Sequence, residues 1–557
     1  MEAGGEIVPH EGADAEIQVN GTDIVRSLSK VLRIPTVLEA VAKNITDPNT
    51  AIAFSYVFKG YGFKVMRAVK QENFALRIEN RMMFNYPENW RWHVYLDSSA
   101  KPYGNGADIP IHVAKYVPFV IIESNYTHKG HSNTGRYYPN STMDEDHLTL
   151  LNKCTNLKKL YIISVNVGDF TDEHFRDNKF QSLKELRLEG VHKHGSVDIS
   201  GVKENNTPLI GRDLIAKLSL PSGVLGKFLS GGNMNNLQLV SLLLKQDSID
   251  ELVKHFENKK LENLEILHLE DIMIPEDQVD RADALMISIV KTNKQNMSLT
   301  LSIQNQTYGT SLLNVILNQG FKIRHLHLII NMQQTNIAFH RTITVLQSHC
   351  EEMTITFHKP YRRLRMPEMN FPDVCSEMEK WDKVTHMTLG KNYRPYAVNA
   401  LRDDANDELY VKYIQTLAYL PNMKKFSIVD RVESDALKAL SNEISYWNLD
   451  EITLALSHQL INDNMKTYNN LLRSIPENVK SIKLLFFPFN TESLEEISER
   501  DSLKKFTYFQ HPRIYQSSNA IKNAMPNCIV DTRKWKTAIS GCLKPNVISD
   551  FLINIPN

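Results

Sequence analysis

A chain of 557 residues exceeds what one hydrophobic core ordinarily serves, so it either divides into domains or runs as an elongated array of repeats. Lys plus Arg and Asp plus Glu balance at 64 each, which leaves no global field to draw the chain to nucleic acid or to an anionic membrane. The five cysteines, Cys154, Cys350, Cys375, Cys528 and Cys542, are widely spaced without a Cys-x-x-Cys pair, poor material for a disulfide framework or a zinc site.

Residues 1–20 read as an acidic, disordered leader, with Glu2, Glu6, Glu11, Asp14 and Glu16 among Gly and Ala and no apolar stretch of the secretory kind. No run reaches the ~18 apolar residues that span a bilayer. A reducing compartment, cytoplasmic or nuclear, is expected. Residues 21–73 form a helical block. Pro35 suits a first helical turn, and Val37, Leu38, Val41 and Ile45 follow as an apolar stripe. Asp47-Pro48 ends that helix and opens a second, along which Ala51, Phe54, Val57, Phe58 and Tyr61 share a face.

The chain changes character over 74–146, where Trp90 to Leu96 alternates apolar and polar residues and Ile109 to Ile122 is rich in branched ones. Both read as strands of a connecting, capping region. The sequence-clustered histidines His128, His131, His192 and His194 have no Cys or carboxylate at ligand spacing and read as solvated loop residues.

From 147 to 535 a seven-residue phrase with apolar second, fifth and seventh places recurs, as in Asn156 to Ile162, Ser182 to Leu188, Asn263 to Leu269, Lys322 to Leu328, Lys383 to Leu389, Asn422 to Ile428, Asn448 to Leu454 and Ser502 to Tyr508. Looser copies end at Leu220, Leu242, Ile303, Phe357 and Leu484. Successive phrases are 22 to 39 positions apart by count, so about thirteen repeats are expected before a C-terminal cap at 536–557. This is the leucine-rich-repeat signature: an α/β solenoid with a parallel inner sheet and helices on the convex side, the polar places facing the concave side. Asp247 to Phe256 and Ser434 to Ile444 carry apolar residues at helical intervals and supply two of those helices.

The Asn or Cys that usually follows the last apolar place by three is replaced by Val165, Val191 and Ile272, which predicts an irregular arc. Bulging loops are expected at 366–371 and 391–407. Lys424, Lys425 and Ser427 become candidate partner contacts, as do Arg362, Arg363 and Arg365, whose guanidinium forks suit acidic or phosphorylated groups; a solvated loop accounts for the same arginines.

The helical block resembles the F-box, which docks on the Skp-type adaptor of cullin ubiquitin ligases. Ile34-Pro35, Val37-Leu38, Val41, Ile45, Asp47-Pro48, and Val57-Phe58-Lys59 with Tyr61 occupy its pattern; one extra residue precedes Pro48, and Phe58 and Tyr61 replace the common Cys and Trp. The resemblance, strengthened by the repeats behind it, implies a substrate receptor. The block would bind the adaptor, and through it a cullin, by Ile34, Pro35, Val37, Leu38, Val41, Ile45, Pro48, Ala51, Val57, Phe58 and Tyr61, while the solenoid holds a target protein. Read from residues alone, the same hairpin serves as an apolar cap on a ligase-independent scaffold. No Gly-rich phosphate loop, His-Glu-x-x-His or Gly-x-Ser-x-Gly is present, so neither a catalytic role nor a cofactor is expected. RNA binding has only the basic stretch 358–365 behind it.

Overall fold

The computed structural model describes residues 35–44, 75–80, 90–95, 101–105 and 114–124, and then residues 142–534 with interruptions, the longer ones at 168–179, 194–219, 304–314, 359–370, 391–404, 457–464 and 511–517. Among the described residues the backbone builds one 17-stranded sheet. Strand Ala75–Asn80 lies parallel to Phe119–Ser124, which lies parallel to Lys159–Ile163. Parallel pairing then passes in chain order through Glu185–Glu189, Asn236–Val240, Ile266–Glu270, Ser298–Ile303, Ile323–Asn331 and Cys350–His358. It continues through Val384–Leu389, Lys425–Asp430, Glu451–Leu456, Ser481–Leu485 and Lys505–Gln510 to Ile529–Lys534. On its other side, Ala75–Asn80 pairs antiparallel with Trp90–Tyr95, and that strand with Lys101–Asn105. The first parallel strand is thereby covered, as a solenoid's terminal repeat requires.

The phrase explains the sheet. Its fifth and seventh places, for example Leu186 and Leu188, Leu267 and Leu269, Phe426 and Ile428, and Ile452 and Leu454, are at most 5 % exposed, and the residues between them face the other way because strand side chains alternate. Helices return across the leucine side. Gln246–Glu257 buries Ile249, Leu252 and Phe256, and Met465–Ser474 buries Tyr468, Leu471 and Leu472. Helices of successive repeats pack on one another, so each repeat completes its neighbour's core, and a single apolar cluster runs from Leu38 to Met525. This is a leucine-rich-repeat solenoid.

Beyond the strand pairing, one backbone ladder and one side-chain ladder hold the repeats in register. At the strand entry, one carbonyl accepts two N–H groups from the next repeat: Lys158 O from Lys184 and Glu185, Lys424 O from Asp450 and Glu451, and Lys480 O from Lys504 and Lys505, at 2.8–3.2 Å. The first place of the phrase reaches back to the carbonyl just ahead of the preceding phrase. Asn233 Nδ2 donates to Gln181 O at 2.8 Å, Asn422 Nδ2 to Asp382 O at 2.9 Å, and Ser502 Oγ to Glu477 O. Asn478 Nδ2 donates to Asn448 Oδ1 at 3.0 Å, one first-place residue to another. The asparagine missing from the end of the phrase thus has a counterpart at its beginning.

Where Val165 and Val191 replace the usual residue, both are fully buried, and the chain beyond the bend forms a second parallel sheet of Thr142–Met143, Asn166–Val167 and His192–Lys193. Backbone pairing satisfies there what an asparagine side chain otherwise would.

Three of the looser phrase assignments are corrected by the pairing. Glu185–Glu189 pairs directly with Asn236–Val240, so Leu220, though buried, ends no strand. The phrase assigned to Leu242 ends at Leu239, which pairs with Leu188 and Leu269. Leu237, Leu239, Leu242 and Leu244 are all fully buried, so apolarity alone does not fix the register. Leu301, and not Ile303, aligns with Leu269 and Leu328. At the longest strands the pairing slips by one phrase step: Leu328 faces Ile355, and Phe357 faces Leu389. A two-residue slip keeps every side chain on its own face.

Candidate functional site

Two surfaces are candidates: the N-terminal helix and the concave wall. Helix Pro35–Lys43 opens on Pro35 as expected. Leu38 and Ala42, four apart on one stripe, are fully buried in the solenoid's own apolar cluster. Thr36, Ala40, Asn44 and Val41 are exposed and Val37 is half-buried; these five line a shallow, mostly apolar recess. Of the residues implied as adaptor contacts, Val37 and Val41 lie on the free face, whereas Leu38 is spent on the core. Ile34, Ile45, Pro48, Ala51, Val57, Phe58 and Tyr61 lie outside the described residues.

The concave wall consists of the residues between the inward leucines, and its chemistry changes along the array. At the start it is apolar. Phe119, Ile121, Tyr161 and Ile163 form a cluster separate from the main core, on the sheet face opposite Val120, Ile122, Leu160 and Ile162. The Phe119 and Tyr161 rings meet edge to face at 4.8 Å, and the Arg187 guanidinium lies 5.9 Å from the Tyr161 centroid. Tyr161 O–H donates to Glu185, which also pairs with Lys159 at 2.8 Å, and Arg187 pairs with Glu189 at 2.7 Å.

In the middle the wall is imidazole and hydroxyl. Cross-strand register places His268, Thr300, His327, Thr354, His386 and Lys425 in one row across six adjacent strands. The two-residue slip between Ile323–Asn331 and Cys350–His358 sets His327 opposite Thr354 and so brings His386 into it. Each imidazole is tied to a neighbour. His325 Nδ1 meets Ser298 Oγ at 2.9 Å and its Nε2 meets Thr354 Oγ1 at 2.8 Å. His327 Nε2 meets Thr356 Oγ1 at 2.8 Å, His386 Nε2 meets Ser427 Oγ at 3.1 Å, and His268 Nε2 lies 2.8 Å from Glu270 Oε2.

Burial holds His325 and His327 below the usual imidazole range, with neighbouring histidines adding to the effect on His327. Burial, then the Lys425 and Lys483 ammoniums, pushes His386 down to about 3. At neutral pH these three rings are uncharged hydrogen-bonding groups.

Toward the C-terminus the wall becomes a lysine and carboxylate lattice, with Lys483 paired to Glu451 and Lys480 to Asp450 at 2.6 Å. Lys425 and Ser427 alternate with the buried Phe426 and Ile428, which puts them on the concave face; Ser427 is only 4 % exposed and already engaged by His386. Lys424 stands at the strand entry as a ladder acceptor. Arg362, Arg363 and Arg365 lie outside the described residues. The imidazole row went unread in the sequence because its members occupy different places of their phrases, His268 and His327 the sixth and His386 the fourth. The two-residue slip between Ile323–Asn331 and Cys350–His358 aligns them.

Among the described residues no cluster of His, Cys, Asp and Glu is arranged to hold a metal ion, and no helix is long and apolar enough to cross a membrane. Cys154, Cys350, Cys375 and Cys528 are free thiols; burial pushes Cys154 and Cys350 up to about 12.

No family model matches the chain, and no curated protein matches it. Solved structures do. The complex of TLR13 with the single-stranded RNA ssRNA13 is similar over 75 % of this chain at 12 % identity and a TM-score of 0.31. This chain spans about half of that one, 54 % of its length. The functional domain of InlJ from Listeria monocytogenes, described as including a cysteine ladder, is similar over 67 % of this chain and 72 % of its own, at 9 % identity and a TM-score of 0.19.

Proposed function

We propose that the protein is a non-catalytic recognition subunit that binds a protein partner along the concave wall and docks, through the Val37 and Val41 face of helix Pro35–Lys43, on a Skp-type adaptor of a cullin ubiquitin ligase. The observation that carries the recognition half is the wall itself. Its side chains run from aromatic, through imidazole and hydroxyl, to lysine and carboxylate, a varied surface on a rigid scaffold, and such surfaces discriminate between protein partners. The docking half rests on the F-box resemblance and on the exposed apolar recess beside Val41. A receptor of this kind needs no catalytic side chain, because holding a target lysine near a charged conjugating enzyme raises its effective concentration.

Affinity purification with mass spectrometry tests the reading. The adaptor and a cullin are expected with the native chain and not with Val37→Asp combined with Val41→Asp; their absence from the native chain overturns the docking half. The burial of Leu38 and Ala42 in the main apolar cluster favours a second reading, in which the helix caps a ligase-independent scaffold. On that reading partner proteins are recovered without adaptor, and the two aspartates change nothing.

A further inference from the structure

The middle of the concave wall concentrates titratable rings in an unusual geometry. His268, His327 and His386 alternate with Thr300 and Thr354 in one row that ends on Lys425, and His325 sits one pleat away between Ser298 and Thr354. Strands lie about 4.8 Å apart, so alternate imidazoles in the row are roughly 10 Å from one another, near the screening length of physiological salt. The charged groups facing them are Glu270 and Glu352, which would welcome a proton, and Arg324, Lys425 and Lys483, which would not. Glu270 is engaged by His268, and Glu352 accepts from Thr385. Protonating the rings therefore places like charges side by side on a half-buried wall. His325 meets hydroxyls through both ring nitrogens, and a neutral imidazole has one accepting nitrogen, so protonation turns that nitrogen into a donor and forces the hydroxyl there to reorient or let go.

We infer that this row is a proton-operated latch: protonating His325, His327 and His386 loosens strands Ser298–Ile303 to Val384–Leu389 locally, while the repeats on either side stay stacked. The solenoid makes a local response possible, because each repeat contacts chiefly its neighbours and opens with its own free energy. The direction is fixed by the resting state. Below the unfolded value near 6.5 the open chain takes up a proton that the closed wall refuses, so closure weakens as pH falls toward the folded value, about 3 for His386. For that ring alone, open relative to closed rises roughly thirtyfold at pH 5.

Hydrogen–deuterium exchange of the full chain at about pH 7.5 and about pH 5, scaled for intrinsic exchange chemistry, reads this directly. Strands Ser298–Ile303, Ile323–Asn331, Cys350–His358 and Val384–Leu389 should lose at least tenfold more protection than Glu451–Leu456 and Ser481–Leu485. His327→Gln with His386→Gln should flatten that difference. Where circular dichroism shows the double variant unfolded at neutral pH, His327→Gln alone serves for the comparison. Acid loosening spread evenly along the array, centred elsewhere, or unchanged in the folded variant overturns the inference.

Discussion

Gly231→Ala offers the most exacting test of how closely the repeats approach. A Cβ built on Gly231 would stand 2.5 Å from Phe180 O and 2.9 Å from Gln181 Cα, backbone atoms rather than a pliable side-chain tip. Those atoms are held. Phe180 occupies the left-handed region at φ 45°, is buried against Phe228 at 5.0 Å, and accepts from Leu183 N at 3.0 Å. Gln181 O is the acceptor for Asn233. The methyl must therefore push the two turns apart, stretching the Asn233 bond. Overpacking of this kind costs about 1–3 kcal/mol, and a weakened hydrogen bond adds about 1 kcal/mol. The adjacent Gly232 is the control: its Cβ would meet nothing within 4 Å, but its φ of 71° strains any L-residue, so Gly232→Ala should cost only about 1 kcal/mol. Urea titration read by circular dichroism, with exchange protection of Glu185–Glu189 and Asn236–Val240 as the local readout, separates the two. If Gly231→Ala proves no more destabilising than Gly232→Ala, or leaves protection at that junction intact, the close approach is not what fixes this glycine.

The remaining tests are simpler. Leu38→Asp buries an unpaired charge and should unfold the N-terminal end by several kcal/mol, whereas Val41→Asp on the free face should stay within about 0.5 kcal/mol; thermal denaturation distinguishes them, and equal effects would refute the division of that helix into two faces. Asn422→Ala should cost about 1 kcal/mol by removing the bond to Asp382 O, and Asn422→Asp should not restore it, because a carboxylate cannot donate; chemical denaturation checks both. Arg500 donates to Leu472 O, Ile475 O and Pro476 O at 2.7–3.1 Å, closing the end of helix Met465–Ser474. Arg500→Met should cost about 2 kcal/mol and raise exchange in that helix; an unchanged helix would assign the arginine no capping role.

The sequence made the fold legible because the phrase is a physical unit, three apolar residues spaced to pack one repeat on the next. Helices at Gln246–Glu257 and Ser434–Glu443, and strands at Trp90–Tyr95 and Phe119–Ser124, fall where periodicity placed them. Register was less legible. Leu242 and Ile303 mimic the phrase's last place because buried apolar residues crowd both neighbourhoods, and only cross-strand pairing tells Leu239 from Leu242. The candidate site was the least legible part. Leu38 and Val41 look alike on a helical wheel and separate only when the solenoid is present to bury one of them. The imidazole row depends on a two-residue slip in register between Ile323–Asn331 and Cys350–His358, and a slip leaves no mark on composition.

The second sheet beyond the bend carries a mechanical consequence. Thr142–Met143, Asn166–Val167 and His192–Lys193 add a further set of rungs outside the main sheet, so the first repeats are riveted along two lines, whereas among the described residues those around Lys425–Asp430 pair through the main sheet alone. A curved strip fastened along two lines resists both bending and torsion. Under load, the early repeats are therefore expected to yield less than repeats held by the main sheet alone.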